Sequence, residues 1–267
     1  MAILNNNPLI GASGQSKGYR IERSLRFNSA DSAYLNRTPA SASNRKTWTW
    51  SGWVKRSEIG VYQYFFSAYT AITDAGFFGC LFADSNSIQL IGGVQTWRST
   101  TQVFRDVSAW YHIVVAVDTT QSTANNRIRL YINGSEVTAF ATSNNPSQND
   151  DLGVNGNWAH TISSNTVTPN QFFNGYMADI NFIDGSALTP SSFGETDADT
   201  GVWKPKAYSG TYGTNGFYLK FADNSGTTST TLGKFSSGNS NNWTPNNFSV
   251  TAGAGNDSLV DSPTQYG

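Results

Sequence analysis

The chain has 267 residues, a formal net charge of -1 and only 13% charged residues, against roughly 25% in an ordinary soluble domain. That balance leaves no general electrostatic hold on nucleic acid or on an anionic membrane surface. Aromatic residues make up 13%, with eight Trp and twelve Tyr, and the Ser, Thr, Asn and Gly between them suit strands and tight turns rather than helices.

Met1-Ala2-Ile3-Leu4-Asn5-Asn6-Asn7-Pro8 has neither the basic start nor the apolar run of a secretory leader, and no later stretch approaches the roughly 18 apolar residues of a membrane span. Cytosolic synthesis without export is expected. Residues 1–20 lack periodicity and are expected to form an arm that lies on something else. From Ser24 the pattern alternates: Ser24 to Asn28 and Ala33 to Leu35 predict two short strands. Lys46 to Lys55 predicts a longer one, with Trp48, Trp50 and Val54 on one face and Thr47, Thr49, Ser51 and Trp53 on the other. Tyr62 to Ala68, Gly76 to Phe82 and Ser87 to Ile91 predict three more, each bounded by turn residues.

Trp110 to Val117 is apolar on both faces, as a strand in the middle of a doubly covered sheet is. His112 on it is expected to be a hydrogen-bonded core residue. Ile128, Leu130 and Ile132 alternate with Arg127, Arg129 and Tyr131, and Asn133-Gly134 supplies the positive-φ pair of a tight hairpin before a strand from Glu136 to Phe140. Tyr176, Ala178, Ile180 and Phe182 are expected to line one face of a further strand. Thr189-Pro190 caps a single predicted helical turn from Leu188 to Phe193. Phe217 to Phe221 makes a late strand. Beyond it, Phe235, Trp243, Phe248, Leu259 and Val260 anchor a weakly patterned tail. Cys80, the one cysteine, is expected to be a buried small hydrophobe.

Ser24-Leu25-Arg26-Phe27, Trp50-Ser51-Gly52-Trp53-Val54-Lys55, Ala109-Trp110-Tyr111-His112-Ile113-Val114-Val115, Leu130-Tyr131-Ile132-Asn133-Gly134 and Gly175-Tyr176-Met177-Ala178-Asp179-Ile180, in that order, resemble the laminin-G-like, concanavalin A-like lectin/glucanase family. The resemblance covers roughly residues 22 to 222. It implies an all-β, antiparallel jelly-roll sandwich, here with an arm over 1–20, the jelly roll over 21–222 and a docking tail over 223–267. Gly185-Ser186-Ala187-Leu188-Thr189-Pro190, Gly201-Val202-Trp203-Lys204-Pro205-Lys206, Tyr212 to Leu219, Asn241 to Asn247 and Asp257 to Thr264 further resemble virion structural proteins, tail or fibre proteins, of tailed phages of marine bacteria. That resemblance implies a virion component made in the host cytoplasm. Lys234-Phe235 stands where such sequences more often carry Thr-Asp.

Hydrolysis on this fold needs two carboxylates about four residues apart on a strand. The one candidate, Glu195-Thr196-Asp197-Ala198-Asp199, ends in Asp and has no alternating apolar face to set it in a sheet, so the chain is expected not to be an enzyme. His112 and His160 form no metal pair or dyad. A structural calcium ion would draw on aspartates near strand ends: Asp31, Asp118, Asp179, Asp184 and Asp223, with Asp31 and Asp223 the candidates carried forward. A sugar site needs an aromatic platform flanked by amides and hydroxyls, for which Trp53, Trp97 and Trp158 are the candidates, the last two in polar loops. The expectation is a head decoration or tail-appendage subunit, a homo-oligomer docked on other virion proteins by its two ends. The alternatives are a host-recognition module that binds surface glycans and, behind it, a glycoside hydrolase.

Overall fold

The computed structural model describes residues 18–167, 169–236, 238 and 240–264. Of the expected N-terminal arm, residues 1–17 lie outside the described residues. The strands, in chain order, are β1 (Ser24–Phe27), β2 (Tyr34–Arg37), β3 (Thr47–Arg56), β4 (Gln63–Tyr69), β5 (Phe77–Phe82), β6 (Ser87–Gly92), β7 (Gln95–Val103), β8 (Tyr111–Asp118) and β9 (Ile128–Ile132). The second half adds β10 (Ser135–Glu136), β11 (Phe140–Ser143), β12 (Ala159–Ile162), β13 (Gly175–Asp184), β14 (Gly194–Thr196), β15 (Trp203–Pro205), β16 (Phe217–Leu219), β17 (Thr244–Asn246) and β18 (Ser258–Leu259). Among the described residues the helical pieces are short 3-10 turns, one of them the predicted turn at Pro190–Ser192 behind Thr189.

Two antiparallel eight-stranded sheets face each other. The first runs β10-β9-β8-β3-β13-β1-β18, with β16 also paired to β13, and the second runs β11-β7-β6-β5-β4-β12-β2-β17. Inward side chains from both sheets make one core in which Trp48, Trp50, Phe66, Phe78, Phe82 and Phe182 are buried. Trp48 meets Phe78 edge-on at 4.9 Å and stacks on Phe182 at 5.8 Å. The period-two reading of β3 holds: Trp48, Trp50 and Val54 point into this core, and Trp53 points to the opposite face beside His112.

Three expectations change. β13 does not keep one face throughout. Its register on β3 shifts between Ala178 and Asn181, and Asp179 within the shift adopts φ 53°. The extra residue inverts the alternation, so Met177, Ile180 and Phe182 enter the core, while Ala178 packs outside with Trp53. The strand predicted from Glu136 to Phe140 is split: β10 stops at Glu136, residues 137–139 cross between sheets, and Phe140 opens β11 on β7. Trp97 is on β7 rather than in a polar loop.

Residues 185–212 fold across the outer face of the first sheet. Thr49 donates to the Ser186 carbonyl at 2.7 Å and accepts from the Leu188 amide at 2.8 Å. Residues 223–264 return to the sandwich, β17 pairing with β2 and β18 with β1. Phe235 and Trp243 are buried and Phe248 packs against the core, whereas Val260 is exposed.

Candidate functional site

Three adjoining shallow depressions lie at the rim of the molecule around β9 and β10. The local folding of this rim starts at Asn133-Gly134, which close the β9–β10 hairpin with φ 48° and 83°. Only glycine tolerates the second position, because Trp203 packs so closely that a Cβ there would lie 2.4 Å from its ring. The short β10 then frees residues 137–139 to cross to the second sheet, which leaves a gap beside the crossing.

The first depression, about 170 Å³, lies on the outer face of the first sheet between Asp118, Gln121, Asn126, Arg129, Tyr131 and Leu188. The second, about 230 Å³, shares Asn126 and Arg129 with it and is floored by Arg98 and Phe140. The third, about 340 Å³, shares Glu136, Val137 and Thr138 with the second and reaches Thr101, Gln102 and Ile132. Their linings mix amide, hydroxyl and guanidinium groups with the half-buried side chains of Leu188, Val137 and Phe140.

The polar groups of this rim are held in place by one another. Arg129 donates to Asn126 Oδ1 at 2.7 Å and lies 3.7 Å from Glu136; hydrogen bonding to Tyr131 and the charge of Glu136 hold its guanidinium above the usual range. Arg98 is buried, donates to the Ile128 carbonyl at 2.9 Å and to Asn145 Oδ1 at 2.7 Å, and lies over the Phe140 ring at 5.4 Å. Burial lowers it to about 10, so it remains a cation at neutral pH. Burial pushes Asp118 up, but hydrogen bonds from Thr120 and Gln121 outweigh it and leave the carboxyl below its usual range. With two arginines and two carboxylates, Asp118 and Glu136, the lining is formally neutral.

The three tryptophans singled out from sequence are not on this rim, and the structure does not bring them together. Trp53 is 4% exposed and stacks on His112 at 4.9 Å. Trp97 is 1% exposed within the core. Neither presents a face to a sugar. Trp158 is half-buried, and Arg45 covers its ring at 4.7 Å while its Nε1 donates to the Gly153 carbonyl. Period two places a side chain on one face of a strand or the other; it does not reveal what covers that face. The rim residues were missed because edge positions depend on strand order. The signal available was the polar stretch from Asp118 to Arg129 leading into a tight hairpin.

The aspartates serve the fold. Asp31 accepts from Asn28 Nδ2 at 2.6 Å, and Asp223 accepts from the amide and hydroxyl of Ser225. Asp184 is buried between Asn155 Nδ2 and the Asn215 amide, at 3.0 and 2.9 Å. Among the described residues no three His, Cys, Asp or Glu side chains gather as a metal site. Lys204 lies 3.4 Å from Glu195 and 3.1 Å from Asp197. Hydrogen bonds from Thr200 and Lys204 hold Asp197 far below its usual range, whereas a general acid needs a raised pKa.

A jelly-roll sandwich with a shallow, neutral, polar-walled rim defines the class: a lectin-like fold. The laminin G profile of the concanavalin A-like lectin/glucanases superfamily matches residues 28–192, and the chain belongs to that superfamily. No curated protein sequence matches it. Among solved structures it is similar to a native heptameric SAP-like pentraxin from Limulus polyphemus, at 15% identity and TM-score 0.46 over 64% of this chain and 80% of that one. It is similar also to a protein from Bacteroides ovatus described as a candidate carbohydrate-binding protein, at 16% identity and TM-score 0.48 over 76% of this chain and 56% of that one. A third is the mouse laminin alpha1 chain, domains LG4-5, at 12% identity and TM-score 0.44 over 72% and 48%.

Proposed function

We propose that this chain is a non-catalytic glycan-binding module and that its site is the β9–β10 rim. The observation that carries the reading is the set of adjoining depressions lined by amides and guanidinium groups already oriented by hydrogen bonds, beside half-buried Leu188 and Val137. Sugars present apolar C–H faces edged by hydroxyls, and such linings match both. The expected result on a glycan array is binding to a defined set of polysaccharides, lowered at least tenfold by Arg129→Ala. Loss on Trp158→Ala with Arg129→Ala unchanged would move the site away from the rim.

A second reading concerns setting. We infer a virion subunit, a head decoration or tail appendage made in the host cytoplasm, whose rim meets host surface glycans. Its motifs between residues 185 and 264 support this, as does the meeting of both described ends at one edge, where Ser262 and Thr264 hydroxyls donate to the Ile21 carbonyl at 2.6 and 3.0 Å. Such a subunit would be held from one side. Gold-labelled antibody on purified particles tests it; label that never co-purifies with particles rejects it.

A further inference from the structure

We propose that the loop end of the sandwich carrying Ile59, Val61, Tyr62, Val103 and Val107 is the surface on which two copies of this chain pair about a two-fold axis. These five are half of the ten large apolar side chains exposed among the described residues, each 40–45% exposed. Apolar residues exposed singly are ordinary on any surface, whereas a cluster of them marks a contact.

The pairing registers bring them to one end. β4 begins at Gln63 opposite Phe82, where β5 finishes, and β7 finishes at Val103 opposite Ser87, where β6 begins. β8 begins at Tyr111 opposite Val54, next to the end of β3. The three connections there, 57–62, 83–86 and 104–110, are knit together by Asn86, which is buried at φ 69°. Its side-chain oxygen accepts from the Gly60 amide at 2.8 Å and from Arg56 at 3.2 Å, and its carbonyl accepts from the Phe104 amide at 2.8 Å. Arg56 also donates to the Phe104 carbonyl at 2.6 Å. A surface fixed in this way loses little conformational entropy when it is covered.

Charge identifies the occupant. In the second sheet β7 and β4 are separated by β6 and β5, so the patch has two halves. The β7 half holds Val103, Val107 and the exposed Arg105, which no hydrogen bond or ion pair engages among the described residues. Asp106 beside it is taken by the amide and hydroxyl of Ser108. The β4 half holds Ile59, Val61 and Tyr62 with Glu58, and Tyr62 is hydrogen-bonded to the exposed Asp84. A two-fold axis through the middle lays the β7 half of one copy on the β4 half of the other, so that each Arg105 meets the other copy's Asp84. An isologous contact needs this self-complementarity. The apolar residues supply affinity, and the two charge pairs set the register. An anionic bilayer suits the patch poorly, because its three carboxylates outnumber its one cation.

Sedimentation velocity of the full chain over a range of concentrations tests the pairing. A monomer–dimer equilibrium is expected, weakened at least tenfold by Val61→Asp. Arg105→Glu and Asp84→Lys should each weaken it at least fivefold. An equimolar mixture of those two variants should associate within twofold of the unsubstituted chain, because both pairs again join opposite charges. Near-ultraviolet circular dichroism checks that each variant is folded; if Asp84→Lys is not, Val107→Asp takes its place and should weaken pairing at least tenfold. A chain that stays monomeric at every concentration, or a dimer indifferent to Val61→Asp, would overturn the inference. So would a mixture no stronger than its components, or a monomer that binds phosphatidylcholine vesicles and loses them on Val61→Asp.

Discussion

His112 and His160, the chain's two histidines, are held neutral by the way they are enclosed. Trp203 Nε1 donates to His112 Nδ1 at 3.0 Å, which puts the ring proton on Nε2, 2.9 Å from the Ser51 hydroxyl, while Trp53 stacks on the imidazole face at 4.9 Å. The Asn155 amide donates to His160 Nε2, leaving Nδ1 to donate to the Trp158 carbonyl at 2.8 Å. Burial lowers His112 to about 3 and His160 to about 4. The folded values lie below the unfolded one of about 6.5, so the unfolded chain binds more protons in between. Stability contributed by the two neutral rings is therefore complete above about pH 6.5 and falls as pH drops toward the folded values. From pH 7 to pH 5 the loss comes to about 2 kcal/mol per histidine. Urea unfolding across that range should show it, and His112→Gln should halve the pH slope, whatever it does to stability at pH 7. A slope unchanged by the substitution would mean that His112 titrates normally. Much of this was legible in the sequence, because a histidine on a strand apolar on both faces has nowhere to be but inside. Its Trp203 partner was not, being 91 residues away.

At the level of elements, β13 shows where period two stops informing. Its residues read as one amphipathic face, yet Asp179 breaks the phase, and its carboxylate accepts from the Tyr19 and Tyr218 hydroxyls at 2.6 and 2.7 Å. A register shift leaves no mark in hydrophobic alternation until the partner strand is known. Burial raises the Asp179 carboxyl despite those bonds, and burial beside Asp179 raises both phenols. Asp179→Val would place a β-branched residue at positive φ and remove the shared acceptor of the two hydroxyls, leaving them only each other, at a cost of about 3 kcal/mol. Asp179→Asn keeps an acceptor and a side chain suited to φ 53°, and should cost under about 1.5 kcal/mol. Chemical denaturation compares them; equal losses would remove backbone strain from the account. The tail poses the opposite case. Its few apolar residues read as anchors for another body, and Trp243 instead meets Phe217 edge-on at 4.8 Å in this chain's own core. Trp243→Ala should therefore cost about 3–5 kcal/mol of this chain's stability, measured on the isolated protein.

Across the whole molecule, strand order sets the β9–β10 rim apart from the edge where the described ends meet. The hairpin of the rim closes one edge of the first sheet and β18 closes the other, six strand steps or about 30 Å away. Ile21, Arg26 and Lys55 hold the C-terminal described segment at the far edge through Ser262, Asp257 and Asp261. No local pattern in the sequence carries this, since each strand's place depends on pairings made across the chain: β18 lies beside β1, more than 200 residues earlier. Attachment at the two edges should therefore differ in effect. Cys80 is fully buried and burial pushes its thiol well above the usual range, so Asn125→Cys supplies the accessible thiol on the rim. Tethered through that thiol, the protein should lose polysaccharide binding at least tenfold in biolayer interferometry. Tethered through a tag after residue 267, it should bind like the free protein. Equal loss in both orientations would show that the binding surface is not at the β9–β10 edge.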